Sequence, residues 1–201
     1  MNSNNGISRY DWQYLICAAL LISVFIFTDI FRLFDKEFLF YSSRLISEQP
    51  HRIFTSILVH ANFNHLLTNL GGIVITRYFL MQLGIKSTLF FLKFILICSY
   101  LDFFIIWIYE KILSYFFNII PNYSALGFSG IIYAFFGFLL LTSFYGKSYF
   151  LGYEIDLKKN NEIKKMSKTI CLIGLIFSFL PGVSLLGHLS GFIAGCFLFL
   201  I

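Results

Sequence analysis

Long apolar runs with almost no charge inside them dominate this 201-residue chain. Hydrophobic residues make up 58% of the sequence and charged residues only 12%, whereas soluble domains carry about 25% charged residues. A chain this apolar has too few polar groups to cover a surface in water. The composition therefore favours a polytopic membrane protein and leaves little room for a separate soluble domain.

Six of the apolar runs have roughly the length that a membrane-crossing helix needs, ~17–25 residues. We predict spans over residues 12–34, 57–83, 88–108, 127–145, 166–180 and 185–201. Between the last two, Pro181-Gly182 removes a backbone donor and permits a turn. The predicted fold is all-α, a six-helix transmembrane bundle in one domain over residues 1–201.

The N-terminal tail, residues 1–11, begins with polar residues and lacks the basic region and small-residue cleavage site of a secretory signal. We therefore expect the first span to be retained. Lys and Arg number ten on the side of the N-terminus and of the lysine-rich fourth connection, against five on the other side. Because cytoplasmic loops collect positive charge, we expect the N-terminal tail to be cytoplasmic. The tail is short and the sequence adds little to the helical core, which favours a bacterial inner membrane over an organelle.

The net charge of +5 could indicate nucleic-acid binding, but the basic residues are spread over several connections, which membrane topology explains better. The cysteines all fall within apolar runs and form no CxxC pair. We therefore interpret them as packing residues rather than disulfide or metal ligands. They are Cys17, Cys98, Cys171 and Cys196.

Four polar side chains lie near the starts of the even-numbered spans. His65 and Asn69 are early in the second span, Ser129 opens the fourth within Gly127-Phe128-Ser129-Gly130, and His188 opens the sixth. Even-numbered spans run parallel, so these side chains share one side of the membrane, and the charge count makes it the outer side. Polar groups at one depth near helix N-termini favour a water-accessible site.

Helix spacing and small residues suggest how the site could assemble. Ser129 and Tyr133 are four apart and share a helix face. Close helix approach is what faces of small residues allow, and it could bring the Ser129 hydroxyl within reach of the His188 imidazole. That is the geometry of a nucleophile and its general base, so the predicted reaction class is acyl transfer. The small residues are Gly127, Gly130, Ala134 and Gly137 in the fourth span, and Gly187, Gly191 and Gly195 in the sixth.

Three motifs together resemble those of rhomboid intramembrane serine proteases. The segment from His60 to Asn69 resembles the second-helix pattern of two histidines five apart with an asparagine four further on. Gly127-Phe128-Ser129-Gly130 with Tyr133 is similar to the serine motif, and Gly187-His188-Leu189-Ser190-Gly191 is similar to the His-x-x-Gly element of the last core helix. The order of the motifs and their spans match over nearly the whole chain.

The resemblance implies a catalytic dyad in which Ser129 is the nucleophile and His188 the general base. It implies an oxyanion hole formed by His65, Asn69 and the Ser129 backbone N–H, and a Tyr133 ring that stacks on His188. It implies transmembrane protein substrates met within the lipid bilayer, and neither a metal nor an organic cofactor; the spread of the basic residues already argues against nucleic acid as a partner. The supporting residues are Tyr133, Gly127, Gly130 and Gly191.

The chain departs from the family pattern in the first loop, where His51-Arg52 stands in place of the usual Trp-Arg. Another departure is Gly187, often alanine in relatives. Neither removes a group that the chemistry needs. Gly127-Phe128-Ser129-Gly130 is not the GxSxG elbow of soluble hydrolases, because its second glycine falls one place early and the hydropathy excludes that strand-turn-helix context.

Each predicted role has a simpler alternative. Ser129 could bond back to a helix carbonyl, and His65 with Asn69 could form a polar clamp between helices. His60 could be taken for another catalytic histidine, yet it precedes the span and more simply orders the loop. A metal on His60, His65 and His188 would lack a carboxylate or thiolate ligand. Asp102 could complete a triad, although the resemblance implies a dyad and we favour interior packing for it.

Two functions from other classes remain as alternatives to a protease. The first is a catalytically silent rhomboid-fold protein that binds membrane clients, which the presence of Ser129 and His188 argues against. The second is a small transporter or channel, which would need charged pairs across several spans, and the sequence offers few.

Overall fold

The computed structural model describes residues 8–157, 160–180 and 183–200, and this part of the chain is mostly helical, as predicted. Its α-helices are α1 Trp12–Phe25, α2 Arg52–Thr55, α3 Phe63–Gln82, α4 Phe90–Phe117, α5 Ser129–Tyr145, α6 Asn161–Phe177 and α7 Leu185–Leu200. A π-helical turn, Ile26–Ile30, continues α1, and a 3-10 turn covers Lys36–Phe38.

Two short antiparallel strand pairs accompany the helices. Strand β1, Tyr41–Ser42, pairs with β2, Ser124–Ala125, and so joins the first loop to the segment that precedes α5. Strands β3, Lys147–Phe150, and β4, Tyr153–Asp156, form a hairpin after α5. Its turn residues Leu151 and Gly152 both have positive φ, 50° and 84°, as a tight hairpin turn requires.

Two described helical segments are by themselves long and apolar enough to cross a membrane. They are Trp12–Ile30, with 19 residues, and Phe90–Phe117, with 28 residues. Ser129–Tyr145 and Leu185–Leu200 are shorter apolar helices. The predicted count of six spans therefore stays a prediction.

Two helices, α4 and α6, extend beyond the apolar spans that the sequence predicts. Helix α4 continues to Phe117 rather than ending at residue 108, because Glu110 is only 6% exposed and accepts a hydrogen bond from Tyr41 Oη at 3.3 Å. Helix α6 begins at Asn161 rather than residue 166, because the Asn160 side chain accepts a hydrogen bond from the Ile163 N–H at 3.1 Å and so caps it. The lysines at 164, 165 and 168 thus lie in a helix; Lys158, Lys159, Pro181 and Gly182 lie outside the described residues.

Helices α5 and α7 pack backbone to backbone, as the small-residue pattern predicts. A methyl group added at Gly191 would lie 2.9 Å from the Gly130 Cα, and one at Gly195 would lie 2.9 Å from the Ala134 Cα. Atoms at these separations overlap, so only glycine fits at either position. Because α5 is buried on most of its surface, this contact forms the centre of the bundle.

The start of α1 is fastened to its neighbours by polar side chains. Asp11 accepts two hydrogen bonds from the Arg77 guanidinium of α3, at 2.8 and 2.9 Å, and the pair holds the pKa of Asp11 below its ordinary value. The Gln13 side chain donates to the Ser87 carbonyl at 2.6 Å and accepts from the Phe91 N–H at 2.8 Å. These contacts fix α1 against α3 and the start of α4.

The first loop is organised around a buried arginine. Arg52 is 2% exposed and donates to the backbone carbonyls of Glu37 and Phe40, at 2.6 and 2.7 Å, and to the Gln49 side chain at 2.6 Å. A buried guanidinium needs such acceptors. Arg52 therefore holds together residues 37–52 of the first loop.

Candidate active site

Ser129 is the first residue of α5 and is half-buried. The chain enters the helix through Gly127, whose φ of +106° is a conformation that L side chains avoid. The Gly127 N–H donates to the Ser56 carbonyl at 2.9 Å, and the β1–β2 pair lies just before it. The serine is thus held by a turn that only glycine makes easily.

His65 and Asn69 lie in the first turns of α3, one helical turn apart. The Asn62 side chain caps this helix by accepting a hydrogen bond from the His65 N–H at 2.9 Å. A Cβ built on Gly127 would lie 2.7 Å from His65 Nε2 and 3.5 Å from Asn69 Nδ2. Both side chains therefore face the turn that precedes Ser129.

Asn69 carries an unused hydrogen-bond donor. The residue is 2% exposed, and its Nδ2 has no hydrogen-bond partner within the described part of the chain. Leaving a buried donor unpaired costs about 1–3 kcal/mol, so buried donors are nearly always paired. Asn69 Nδ2 is therefore a free, buried donor beside the turn that precedes Ser129.

His188 lies in the first turn of α7 and is 8% exposed. The Ser184 hydroxyl accepts a hydrogen bond from the Gly187 N–H at 3.1 Å and lies 2.5 Å from Tyr123 Oη. This cap ties the start of α7 to the loop that leads into α5.

The His188 imidazole is held from two directions. It stacks on the Tyr133 ring with the centroids 3.9 Å apart and an interplanar angle of 17°, which is the stacking that the resemblance implies. Its Nδ1 lies 3.0 Å from the Ser178 hydroxyl oxygen. Among the described residues, His188 has no hydrogen bond to Ser129, and such bonds often form only once substrate is present.

Backbone contacts nevertheless place the serine and histidine elements side by side. A Cβ on Gly130, the residue after Ser129, would lie 3.7 Å from the carbonyl oxygen of Gly187, the residue before His188. Tyr133, one turn after Ser129, carries the stacking contact to His188. The structure therefore brings together the three motifs, while the roles of their residues stay predictions.

Two cavities adjoin these residues. A small one of about 20 Å³ is lined in part by Ser129, Gly130 and Asp102, and it has room for about one water molecule. A larger, mostly apolar cavity of about 430 Å³ is lined by residues of α5, α6 and α7, including Tyr133, Ser178 and His188. The site thus adjoins both a polar pocket and an apolar cleft.

Asp102 is not the partner of His188 in this structure. It lies in α4, is 5% exposed, and accepts a hydrogen bond from the Ser190 hydroxyl of α7 at 2.5 Å. The Nδ1 atom of His188, which a triad carboxylate would bind, instead faces Ser178. Asp102 is therefore placed as an interior polar link between α4 and α7.

His60 is fully buried in the loop before α3. Its Nδ1 lies 3.2 Å from the Leu58 carbonyl, and its ring meets the edge of the His65 ring at 5.1 Å. Burial, with a smaller contribution from His65, lowers the pKa of His60 to about 4, so the ring is neutral at pH 7. In the described ranges, no three His, Cys, Asp or Glu side chains form a group that could hold a metal ion.

The sequence analysis did not single out Ser178, Ser184 or Tyr123. Ser184 could have been found, because a serine three residues before the Gly187 N–H is a common helix cap. Ser178 gives no such signal, since its contact with His188 depends on how the end of α6 packs. Tyr123 likewise meets Ser184 only through the folded chain.

The fold and site describe a helical membrane protein with a serine and a histidine on two tightly packed helices. The family model for the Rhomboid domain matches residues 47–201. The chain belongs to the rhomboid family. A comparison with curated protein sequences finds no match.

Proposed function

We propose that this protein is an intramembrane serine endopeptidase that cleaves transmembrane segments of other membrane proteins. One observation carries the proposal: Tyr133, one turn after Ser129, stacks on His188, while Gly127, two residues before Ser129, lies against His65 and Asn69. The nucleophile is flanked by a base on one side and hydrogen-bond donors on the other. That is the arrangement acyl transfer requires.

The reaction follows from these positions. Ser129 Oγ attacks the scissile carbonyl carbon while His188 Nε2 takes the hydroxyl proton. The carbonyl oxygen gains the negative charge, and the His65 ring, the Asn69 amide and the Ser129 N–H donate hydrogen bonds to it. His188 then gives its proton to the leaving amine, and an acyl-enzyme remains on Ser129. A water molecule, deprotonated by His188, hydrolyses that ester and restores the serine.

The proposed substrates enter from the lipid bilayer. A peptide carbonyl inside a helix is already hydrogen-bonded and covered, so the substrate must unwind near small or helix-breaking residues before Ser129 can attack. The cleft beside His188 is lined mostly by apolar side chains, and such a surface suits the side chains of a transmembrane segment. We propose a bacterial inner membrane location with a cytoplasmic N-terminus and the site toward the outer face, because Lys and Arg are in excess on the tail side.

A second candidate is a catalytically silent rhomboid that binds membrane clients. The observation that favours it is the missing hydrogen bond between Ser129 and His188 among the described residues, since a silent protein would not need that bond. It predicts client binding without serine reactivity.

Serine-directed labelling with substrate cleavage tests the proposal. Purified protein in liposomes is treated with a fluorophosphonate probe and, separately, with a model transmembrane substrate. We expect wild type to be labelled and to cleave, and Ser129→Ala and His188→Ala to do neither. Ser143→Ala is the matched control, because Ser143 lies buried in the same helix and bonds to the Leu140 carbonyl. An unreactive wild type beside an active positive control would instead support the client-binding candidate.

A further inference from the structure

Ser178 lies one residue beyond the end of α6 and faces the His188 ring. It is 4% exposed, and its hydroxyl oxygen lies 3.0 Å from His188 Nδ1. The ring face of His188 is covered by Tyr133, so Ser178 supplies the polar contact at the edge away from Nε2. The proposed mechanism uses the other ring nitrogen of His188, Nε2, as the base.

The same hydroxyl belongs to a short chain of hydrogen bonds. Ser178 Oγ lies 3.0 Å from Tyr133 Oη and 3.1 Å from the Gly174 carbonyl oxygen. The Tyr133 hydroxyl lies 2.5 Å from that same carbonyl oxygen. A carbonyl oxygen only accepts hydrogen bonds, so the Tyr133 proton points to Gly174.

Because the Tyr133 hydroxyl donates to the Gly174 carbonyl, the directions of the other hydrogen bonds in this chain follow. With Tyr133 donating to Gly174, the Ser178 hydroxyl can donate to Tyr133 Oη or to the Gly174 carbonyl, and its lone pairs then accept a proton from His188 Nδ1. This arrangement makes three hydrogen bonds in series. If Ser178 donated to Nδ1 instead, the chain would make two, and a buried hydroxyl would lose a bond worth about 0.5–1.5 kcal/mol.

We propose that Ser178 is a positioning residue that holds His188 as the Nδ1–H tautomer, leaving the Nε2 lone pair free to act as the base. The inference rests on the proposed protease function for its effect on catalysis, although the tautomer itself is a property of the resting protein. Ser178 does not touch the reacting atoms; it acts through the imidazole. It does so with a neutral hydroxyl at the end of α6, whereas Ser129 lies in α5 and His188 in α7.

A purely structural role is the alternative reading of Ser178. Serines near helix ends often bond back to a carbonyl four residues earlier, and Ser178 lies within reach of Gly174 in this way. Ser167, within α6, is such a residue, fully buried with its hydroxyl donating to the Ile163 carbonyl at 2.8 Å. Ser167→Ala is therefore the matched control for the loss of a buried helix hydroxyl.

The kinetic test compares Ser178→Ala, Ser178→Thr and Ser167→Ala in liposomes with the model transmembrane substrate. We expect Ser178→Ala to lower kcat on the order of 10- to 100-fold with KM nearly unchanged. This loss is smaller than the ~10⁴-fold seen when a triad aspartate is replaced and the wrong tautomer prevails. Ser178→Thr, which keeps the hydroxyl, should recover most of the rate, and Ser167→Ala should behave as wild type.

Nitrogen NMR tests the tautomer directly and without activity. In protein labelled with ¹⁵N in the histidine rings, protonated and unprotonated nitrogens have distinct shifts, and His188→Gln identifies the His188 signals. We expect Nδ1–H in the wild type and a mixture of tautomers in Ser178→Ala. An Nε2–H imidazole in the wild type, or a Ser178→Ala variant with the rate of Ser167→Ala, would overturn the inference. A wild type that neither cleaves nor labels would overturn the proposed function, while the NMR result would still decide the tautomer.

Discussion

The Tyr133 ring lies almost parallel to the His188 imidazole, with 3.9 Å between the ring centroids, and its hydroxyl is anchored on the Gly174 carbonyl of α6. Tyr133 therefore makes two separable contacts, one through its ring face and one through its oxygen. The ring sets the plane in which the imidazole lies. The oxygen joins α5 to α6.

Substitutions at Tyr133 should separate those contacts. Tyr133→Phe keeps the stacked ring, and the Ser178 hydroxyl can still donate to Gly174, so we expect activity within about 10-fold of wild type. Tyr133→Ala removes the ring and leaves His188 free to rotate, so we expect a loss of about 10²-fold or more, since misplacing a catalytic group by ~1 Å can cost that much. Cleavage rates of both variants in one liposome preparation check this. Equal losses would mean that the stacking does not matter.

The free donor of Asn69 gives a prediction about kcat. Asn69→Leu keeps the approximate volume and removes the Nδ2 donor, so we expect kcat to fall about 10²- to 10³-fold, the usual effect of deleting one oxyanion donor. Because Nδ2 has no partner in the described part of the chain, the unfolding temperature should change little. Kinetics and thermal unfolding of the same sample measure both. A large loss of stability with little loss of rate would identify Asn69 as a structural clamp.

Alanine substitutions at two glycines should change stability in opposite directions, because only one of these glycines lies in the contact between α5 and α7. In Gly195→Ala the new methyl would lie 2.6 Å from the Ala134 carbonyl carbon, and backbone atoms cannot turn aside. Overpacking costs about 1–3 kcal/mol and occasionally more, so we expect the free energy of unfolding of Gly195→Ala to fall by about 3 kcal/mol. Gly71→Ala in α3 meets no atom within 4 Å and should stabilise by up to about 1 kcal/mol. Unfolding free energies in detergent test the pair, and similar values for both would contradict the packing argument.

Asp102 should prove dispensable for the chemistry. Asp102→Asn keeps an oxygen that can accept from the Ser190 hydroxyl, so we expect cleavage within about 10-fold of wild type. In Asp102→Ala the Ser190 hydroxyl can still donate to the Leu186 carbonyl at 2.8 Å, so only the link between α4 and α7 is lost and the variant should be destabilised by about 0.5–1.5 kcal/mol. Rates and unfolding curves measured together distinguish these effects. A fall near 10⁴-fold in folded Asp102→Asn would instead indicate a triad carboxylate.

The parts of the site that sequence could predict are those fixed by spacing along one helix. His65 and Asn69 are one turn apart in any helix, as are Ser129 and Tyr133. The glycines of α7 recur every four residues, so the pattern predicts that they share one helix face that a neighbouring helix can approach closely. The resemblance to the rhomboid family came from the same local motifs, and the family model over residues 47–201 confirms it. Their catalytic roles stay predictions.

What sequence could not predict depends on contacts between distant segments. Hydropathy ends the third span before Glu110, yet that carboxyl is buried against Tyr41 Oη of the first loop. The β3–β4 hairpin escaped notice because its turn is Leu151-Gly152 rather than the usual Asn-Gly. Ser178 meets His188 only because α6 and α7 converge at that end. Each requires knowledge of a partner that the local sequence does not contain.

Helix α4 has 28 residues, about 42 Å at 1.5 Å per residue, whereas the hydrocarbon core of a bilayer is about 30 Å thick. Its last turn carries three exposed aromatic rings, Tyr115, Phe116 and Phe117, and aromatic residues favour the headgroup boundary. Residues 118–128, which include β2, connect this end to the start of α5, where Ser129 lies. If α4 crosses the bilayer along its normal, its excess of about 12 Å over the hydrocarbon core requires this helix to tilt or to extend into the headgroup region.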